Sequence, residues 1–188
     1  SRKFIMVQLP EDTDEKSVAF KSGYKNICEI GKERIRRAGD KIKSENPLLT
    51  SNLDTGFRVL KVDSSNMKDV YYSPNEISQD FLSSLESNIK ENRTDLDLLF
   101  GCLLEWGLPL SLSYKSFEID GCVVHDYNDG DLIACFEENI SENVMKEIAK
   151  LTPLRAVFRD SSFANSPSKI NVGELFKLLA PDTRVKVI

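Results

Sequence analysis

The sequence has few of the residues that bind metals or act as nucleophiles in enzymes. It contains one histidine and four scattered cysteines, with no Cys-x-x-Cys pair; the cysteines are Cys28, Cys102, Cys122 and Cys135. This spacing does not match a zinc site. We therefore expect reduced, mostly buried thiols, as is typical of a cytoplasmic protein.

Other signatures of catalysis and of membranes are also missing. There is no glycine-rich phosphate loop, no Gly-x-Ser-x-Gly elbow and no His-Glu-x-x-His motif. No apolar run approaches the ~20 residues that a membrane helix needs, so we expect no membrane partner. The single histidine, His125, lies beside Asp126 on a predicted hairpin, and we expect it at the surface.

The composition allows a packed core but does not indicate a strongly basic surface. The 188 residues are enough for one large domain or two small ones, and 40% of them are hydrophobic. The net charge of -5 argues against general coating of nucleic acid. A local basic run at helical spacing either meets DNA phosphates or forms a solvated helix face offset by acidic neighbours. Its members are Lys32, Arg34, Arg36, Arg37, Lys41 and Lys43.

The first 70 residues are predicted to form part of a parallel sheet. The apolar run in Phe4–Leu9 is typical of a buried strand, and Gly56–Val62 is predicted as a second strand. Apolar residues three and four apart predict a helix from Val18 to Ile42, with Gly23 as a point where it can break. This order predicts a βαβ unit with parallel strands.

Two helices and a hairpin are predicted next. Ser73–Glu76 has the residues of a helix start, and this helix is expected to run to about Lys90. Thr94 with Asp97 predicts a second helix that ends before Gly107. Asp120-Gly121 predicts a tight turn inside a hairpin over Phe117–Val124.

The last part of the chain is predicted to be a βαβαβ unit. Its strands are Leu132–Phe136, Leu154–Phe158 and Arg184–Ile188, with helices capped by Asn139 and by Asn171 between them. The fold class is therefore α/β. We place a boundary near Val70, which gives residues 1–70 as half of one sheet and 71–188 as a second α/β domain.

Short polar side chains follow the predicted strand Gly56–Val62. The segment Asp63-Ser64-Ser65-Asn66 stands where ligands bind in α/β folds, at the carboxyl end of a strand. The same side chains can instead cap the next turn. The sequence favours neither interpretation.

Four segments together resemble the carboxy-terminal part of the modification (Mod) subunit of type III restriction–modification systems. They are RKFIMVQLPE at 2–11, GYKNICEIGKERIRRAG at 23–39, GFRVLKVDSSN at 56–66 and PLRAVFRDSSF at 153–163. These subunits are site-specific, adenine-specific DNA methyltransferases. The resemblance implies that the chain is a C-terminal fragment of such an enzyme. Its opening on a predicted buried strand agrees with that expectation, although a protein that begins with an edge strand is the alternative.

The resemblance also implies where the chemistry lies. The family's catalytic motif and its S-adenosylmethionine motif are upstream of the segments found here, so we expect the fragment alone to be inactive and to bind the cofactor poorly. In related methyltransferases an acidic residue ends the strand corresponding to Phe4–Leu9 and binds the ribose hydroxyls. Gln8 stands at that position here, with Glu11 shortly after. Arg34, Arg36 and Arg37 would contact DNA.

The partners implied by the resemblance are DNA, a second modification subunit and a restriction (Res) subunit. Residues 71–188 would then serve in scaffolding and subunit association. The alternative is a free-standing α/β domain that binds a small ligand or another protein, with a cleft near Asp63 or Asp160.

Overall fold

The structure is a computed structural model that describes residues 4–68 and 88–188. The chain divides into two units, Ser1–Leu60 and Lys61–Ile188. None of the residues described in the first unit is buried, whereas the second unit contains two buried apolar clusters. The first unit therefore gains little stability from a core of its own.

Helices form the regular part of the first unit. They are α1 (Val18–Lys21), α2 (Ile27–Glu45) and α3 (Pro47–Thr50). The side chain of Asn26 caps α2 by accepting a hydrogen bond from the Glu29 N–H at 3.0 Å. The helix predicted from Val18 to Ile42 is divided at Gly23, where the sequence allowed a break: Gly23 has a φ of +94° and separates α1 from α2.

The apolar residues that open the described chain are exposed. Ile5 is 94% exposed and Val7 is 93% exposed. No ladder joins residues 4–9 or 56–62 to another described segment, so the predicted strands Phe4–Leu9 and Gly56–Val62, and their βαβ unit, are wrong. A strand needs a neighbour for its backbone groups, whatever conformation its own residues favour.

A five-stranded sheet organises the second unit, with its strands adjacent in chain order. The strands are β1 (Tyr114–Ile119), β2 (Cys122–Tyr127), β3 (Leu132–Cys135), β4 (Arg155–Phe158) and β5 (Arg184–Val187). β1 to β3 are antiparallel neighbours, and β3 to β5 are parallel neighbours. The predicted Asp120-Gly121 turn is confirmed, with φ of +49° and +79°. The α/β class and the hairpin followed by βαβαβ are likewise confirmed.

Helices cover both faces of this sheet. They are α4 (Asp95–Glu105), α5 (Glu142–Lys150) and α6 (Ser166–Leu179). Because β3, β4 and β5 step in one direction, right-handed crossovers place α5 and α6 on the same face. There Val144, Ile148 and Phe176 pack with Phe158. On the other face Leu99 and Leu103 of α4 pack with alternate strand residues that include Tyr127 and Val157.

Helix α4 begins where the sequence predicts. Thr94 and Asp97 form a reciprocal capping box, and Gly107 follows the helix with a φ of +65°. No helix in the described residues is both long and apolar enough to cross a bilayer.

Other predicted helix starts are not where the sequence pattern put them. The side chain of Ser141, rather than Asn139, caps α5, and Asn165, rather than Asn171, caps α6. The helix predicted from Ser73 lies outside the described residues except for its last three positions, 88–90, which are not helical.

Candidate functional site

The predicted DNA-contact residues lie on α2 with their side chains in solvent. Arg37 Nε donates to Glu33 Oε1 at 2.7 Å, and Arg36 Nη1 is 3.8 Å from Glu33 Oε2. The hydrogen bond that Arg37 donates to Glu33 raises the pKa of Arg37, as does nearby Tyr24. Arg34 is exposed and forms no ion pair with any other described residue. Arg36 and Arg37 thus share one carboxylate, and Arg34 has none among the described residues.

A shallow groove runs beside this face within the first unit. Its volume is about 370 Å³, and the guanidinium of Arg36 lies over the Phe57 ring at 5.7 Å from its centroid. Asp40, Thr55 and Val59 contribute further lining. The groove combines one cation, one anion and apolar surface, so its lining alone does not select a ligand.

The predicted ribose-contact residues are also exposed. Gln8 Nε2 donates to the carbonyl of the adjacent Leu9 at 3.2 Å. The backbone carbonyl of Glu11 accepts from the Ile27 N–H at 2.9 Å and leaves the carboxylate in solvent. Among the described residues, no contact joins either side chain to Arg34, Arg36 or Arg37.

The polar segment Asp63–Asn66 is attached to the beginning of α4. Ser64 Oγ accepts from Lys90 Nζ at 2.9 Å and from Arg93 Nη2 at 3.0 Å. Arg93 Nη1 also lies 3.2 Å from Asp63 Oδ2. The hydrogen bond from the Ser64 N–H, together with the charge of Arg93, holds the pKa of Asp63 below its usual value.

Backbone pairing reinforces this attachment. Met67 and Ile89 form an isolated antiparallel bridge, and Lys90 N–H donates to the Asn66 carbonyl at 3.0 Å. Asn66 Nδ2 donates to the Asp97 carbonyl at 2.7 Å, and a Cβ on Gly101 would lie only 2.6 Å from that nitrogen. The glycine therefore makes room for the segment on α4.

The prediction that His125 lies at the surface is wrong. It is 5% exposed on β2, with Nδ1 2.9 Å from the Tyr114 hydroxyl and Nε2 3.4 Å from Asp95 Oδ2. Its ring stacks on Tyr114 and lies near Phe136, with centroids 6.1 and 6.0 Å away. The alternation of β2 places it on the α4 face, where both ring nitrogens find polar neighbours. It links α4 to the sheet.

Two of the cysteines are buried. Burial raises the pKa of Cys102 and of Cys135 to about 11. Among residues 4–68 and 88–188, no three His, Cys, Asp or Glu side chains form a group that could hold a metal ion.

Part of the chain is similar to known proteins. It is 39% identical over 57 residues to the Type III restriction-modification enzyme StyLTI Mod subunit of Salmonella typhimurium, which is 30% of this chain and 8% of that protein. It is 42% identical over 62 residues to the EcoP15I Mod subunit of Escherichia coli, which is 33% of this chain and 8% of that protein. No family model matches the chain. The chain thus contains a region related to type III Mod subunits and spans a small part of their length.

Proposed function

We propose that this chain is the C-terminal part of a type III modification subunit and is inactive as a methyltransferase on its own. The observation that carries the proposal is its similarity to two Mod subunits. The parent would transfer a methyl group from S-adenosylmethionine to the N6 amine of adenine in DNA, acting on a base turned out of the helix. The parent would act in the cytoplasm.

The exposed apolar residues of the first unit support this proposal. Ile5, Val7 and Leu48 are almost fully exposed. Burying each such side chain would contribute about 1.5–3 kcal/mol, so a covering surface is strongly favoured. We assign that cover to the rest of the methyltransferase domain, against which residues 1–70 would pack.

We propose that the cofactor and DNA bind to the complete modification subunit. S-adenosylmethionine would bind mainly to residues outside this chain, with Gln8 or Glu11 near its ribose. Arg34, Arg36 and Arg37 would contact DNA phosphates. All three are exposed, and Glu33 is the one carboxylate that pairs with them among the described residues, so the face keeps excess positive charge.

Residues 71–188 would form an assembly module that associates with a second modification subunit and a restriction subunit. Helices cover both faces of the five-stranded sheet, so this domain has a core of its own. On α6, Ile170 and Leu178 remain 68% and 81% exposed. A domain with a closed core and exposed apolar side chains suits a docking role.

Methyl transfer tests the enzymatic part of the proposal. The product of the full reading frame and residues 1–188 would each be incubated with duplex DNA and S-adenosylmethionine carrying a labelled methyl group. We expect label in adenine only with the full product. Methyl transfer by residues 1–188 alone would contradict the proposal. So would a lack of transfer by the full product on DNA that contains every short sequence.

A free-standing ligand-binding or protein-interaction domain is the second candidate. The closed core of the second unit favours it, since such a domain needs no further covering. A thermal-shift series with nucleotides and S-adenosylmethionine distinguishes the two. A clear rise in the melting temperature of residues 1–188 with one small ligand would favour the free-standing domain.

A further inference from the structure

Two cationic side chains in the second unit converge on one neutral oxygen. Lys90 Nζ and Arg93 Nη2 lie 2.9 and 3.0 Å from Ser64 Oγ. Ser64 is exposed, so this oxygen is reachable from solvent. A serine hydroxyl carries no charge, and it therefore neutralises neither cation.

Arg93 is held in a fixed position. Its side chain is only 8% exposed, and its Nη2 also donates to the Ser64 carbonyl at 3.2 Å. Its Nε is buried and has no hydrogen-bond partner among the described residues. A guanidinium held this rigidly loses little conformational freedom when it binds an anion.

The nearby carboxylates bind Arg93 and Thr94 rather than Lys90. Asp63 pairs with Arg93 while remaining 66% exposed in its side chain. The Asp97 carboxylate accepts from the N–H and hydroxyl of Thr94 at 2.8 and 2.7 Å in the capping box. The Lys90 ammonium forms no ion pair with a described residue, and its hydrogen bond goes to the uncharged Ser64 hydroxyl.

We propose that Ser64, Lys90 and Arg93 bind a phosphate group. A phosphate presents several acceptor oxygens, so it can accept from the ammonium, the guanidinium and the serine hydroxyl together. Binding requires Lys90 Nζ and the Ser64 hydroxyl to turn toward the phosphate oxygens, while Asp63 keeps Arg93 in place. The phosphate belongs either to a DNA backbone or to a small phosphate-containing ligand.

Calorimetry with inorganic phosphate tests this site on residues 1–188, near neutral pH and at constant ionic strength. The variants are Lys90→Gln and Ser64→Ala, with Lys177→Gln as the control because Lys177 is an exposed, i,i+3-paired lysine of α6. Thermal unfolding would establish that each variant is folded. We expect Lys90→Gln to weaken phosphate binding by about tenfold, Ser64→Ala by less, and Lys177→Gln not at all.

Fluorescence anisotropy with a short DNA duplex then identifies the source of the phosphate. Weaker duplex binding by Lys90→Gln, and competition by inorganic phosphate, would indicate the DNA backbone. Unchanged duplex binding with lost phosphate binding would indicate a small ligand. Absence of phosphate binding by the unaltered chain, or equal binding by Lys90→Gln, would overturn the proposal. None of these outcomes depends on methyl transfer, so the site and the proposed function can fail separately.

Discussion

The guanidinium Nη1 of Arg93 lies 3.2 Å from the carboxylate Oδ2 of Asp63, thirty positions earlier in the chain. The pair joins the segment that precedes residue 69 to the start of α4. Its arginine is almost fully buried, whereas its aspartate is largely exposed. The attachment therefore depends on both the charge of Asp63 and the fixed position of Arg93.

This pair predicts a dependence of stability on acid pH. The pKa of Asp63 is lowered in the folded state, first by the Ser64 N–H and then by Arg93. A group with a lowered folded pKa stabilises the protein above its unfolded pKa and loses that effect as pH falls through the folded value. In urea unfolding, Asp63→Asn should reduce stability near neutral pH and flatten its decline below about pH 4. The exposed Asp182→Asn serves as control, and identical pH profiles for the two variants would contradict the expectation.

We expect the contacts of the buried His125 to stabilise the fold, although no proposed binding or catalytic role involves this residue. His125→Ala removes contacts to Tyr114 and Asp95 and leaves a space under α4. We expect a loss of about 2 kcal/mol in the free energy of unfolding. Tyr114→Phe removes only the hydroxyl and should cost about 1 kcal/mol. Urea unfolding measures the loss in both variants. An unchanged urea midpoint for His125→Ala would show that the contacts between His125 and α4 do not stabilise the protein.

The cysteines should differ in reactivity. Because burial raises the pKa of Cys102 and Cys135 to about 11, roughly one thiol in a thousand would be ionised at pH 8. Cys28 and Cys122 are partly exposed, and burial raises the pKa of Cys122 as well. Alkylation followed by mass spectrometry should modify Cys28 and Cys122 first and the buried pair only after denaturation. Early modification of Cys135 would contradict the packing of β3.

The basic face of α2 should govern the salt dependence of any DNA binding. Replacing Arg34, Arg36 and Arg37 by glutamine should weaken binding and make the plot of log affinity against log salt less steep, by about 0.9 for each phosphate that the variant no longer neutralises. Anisotropy titrations at several salt concentrations measure this slope. The matched control replaces Lys150, Lys177 and Arg184, which are exposed on the second unit. Equal slopes for both triple variants would show that the arginines of α2 do not contact DNA.

In the second unit, turns and helix starts were predicted correctly where one or two residues determine the local backbone conformation. Asp120-Gly121 specified its turn through positive φ, and Thr94 with Asp97 specified the start of α4. The predictions that Asn139 and Asn171 cap helices were wrong, because residues able to cap a helix also occur at nearby positions of the chain. Asn139 occupies a left-handed turn before Ser141, and Asn171 lies inside α6, which begins earlier with Pro167 in its first turn.

Features that depend on distant partners could not be predicted from the sequence. The apolar run Phe4–Val7 has the composition of a strand, but no neighbouring strand pairs with it in the described residues. His125 is buried because α4 brings Asp95 to β2 from thirty residues away. The convergence of Lys90 and Arg93 on Ser64 likewise joins segments that are far apart in the chain and does not follow from a local motif.

Hydrogen–deuterium exchange tests most directly whether the rest of a methyltransferase domain covers the first unit. Backbone amides of residues 4–9 and 56–62 would be compared between residues 1–188 and the product of the full reading frame. The proposal predicts fast exchange in the shorter protein and strong protection in the longer one, while β3 and β4 stay protected in both. Equal, fast exchange of these amides in both proteins would contradict it.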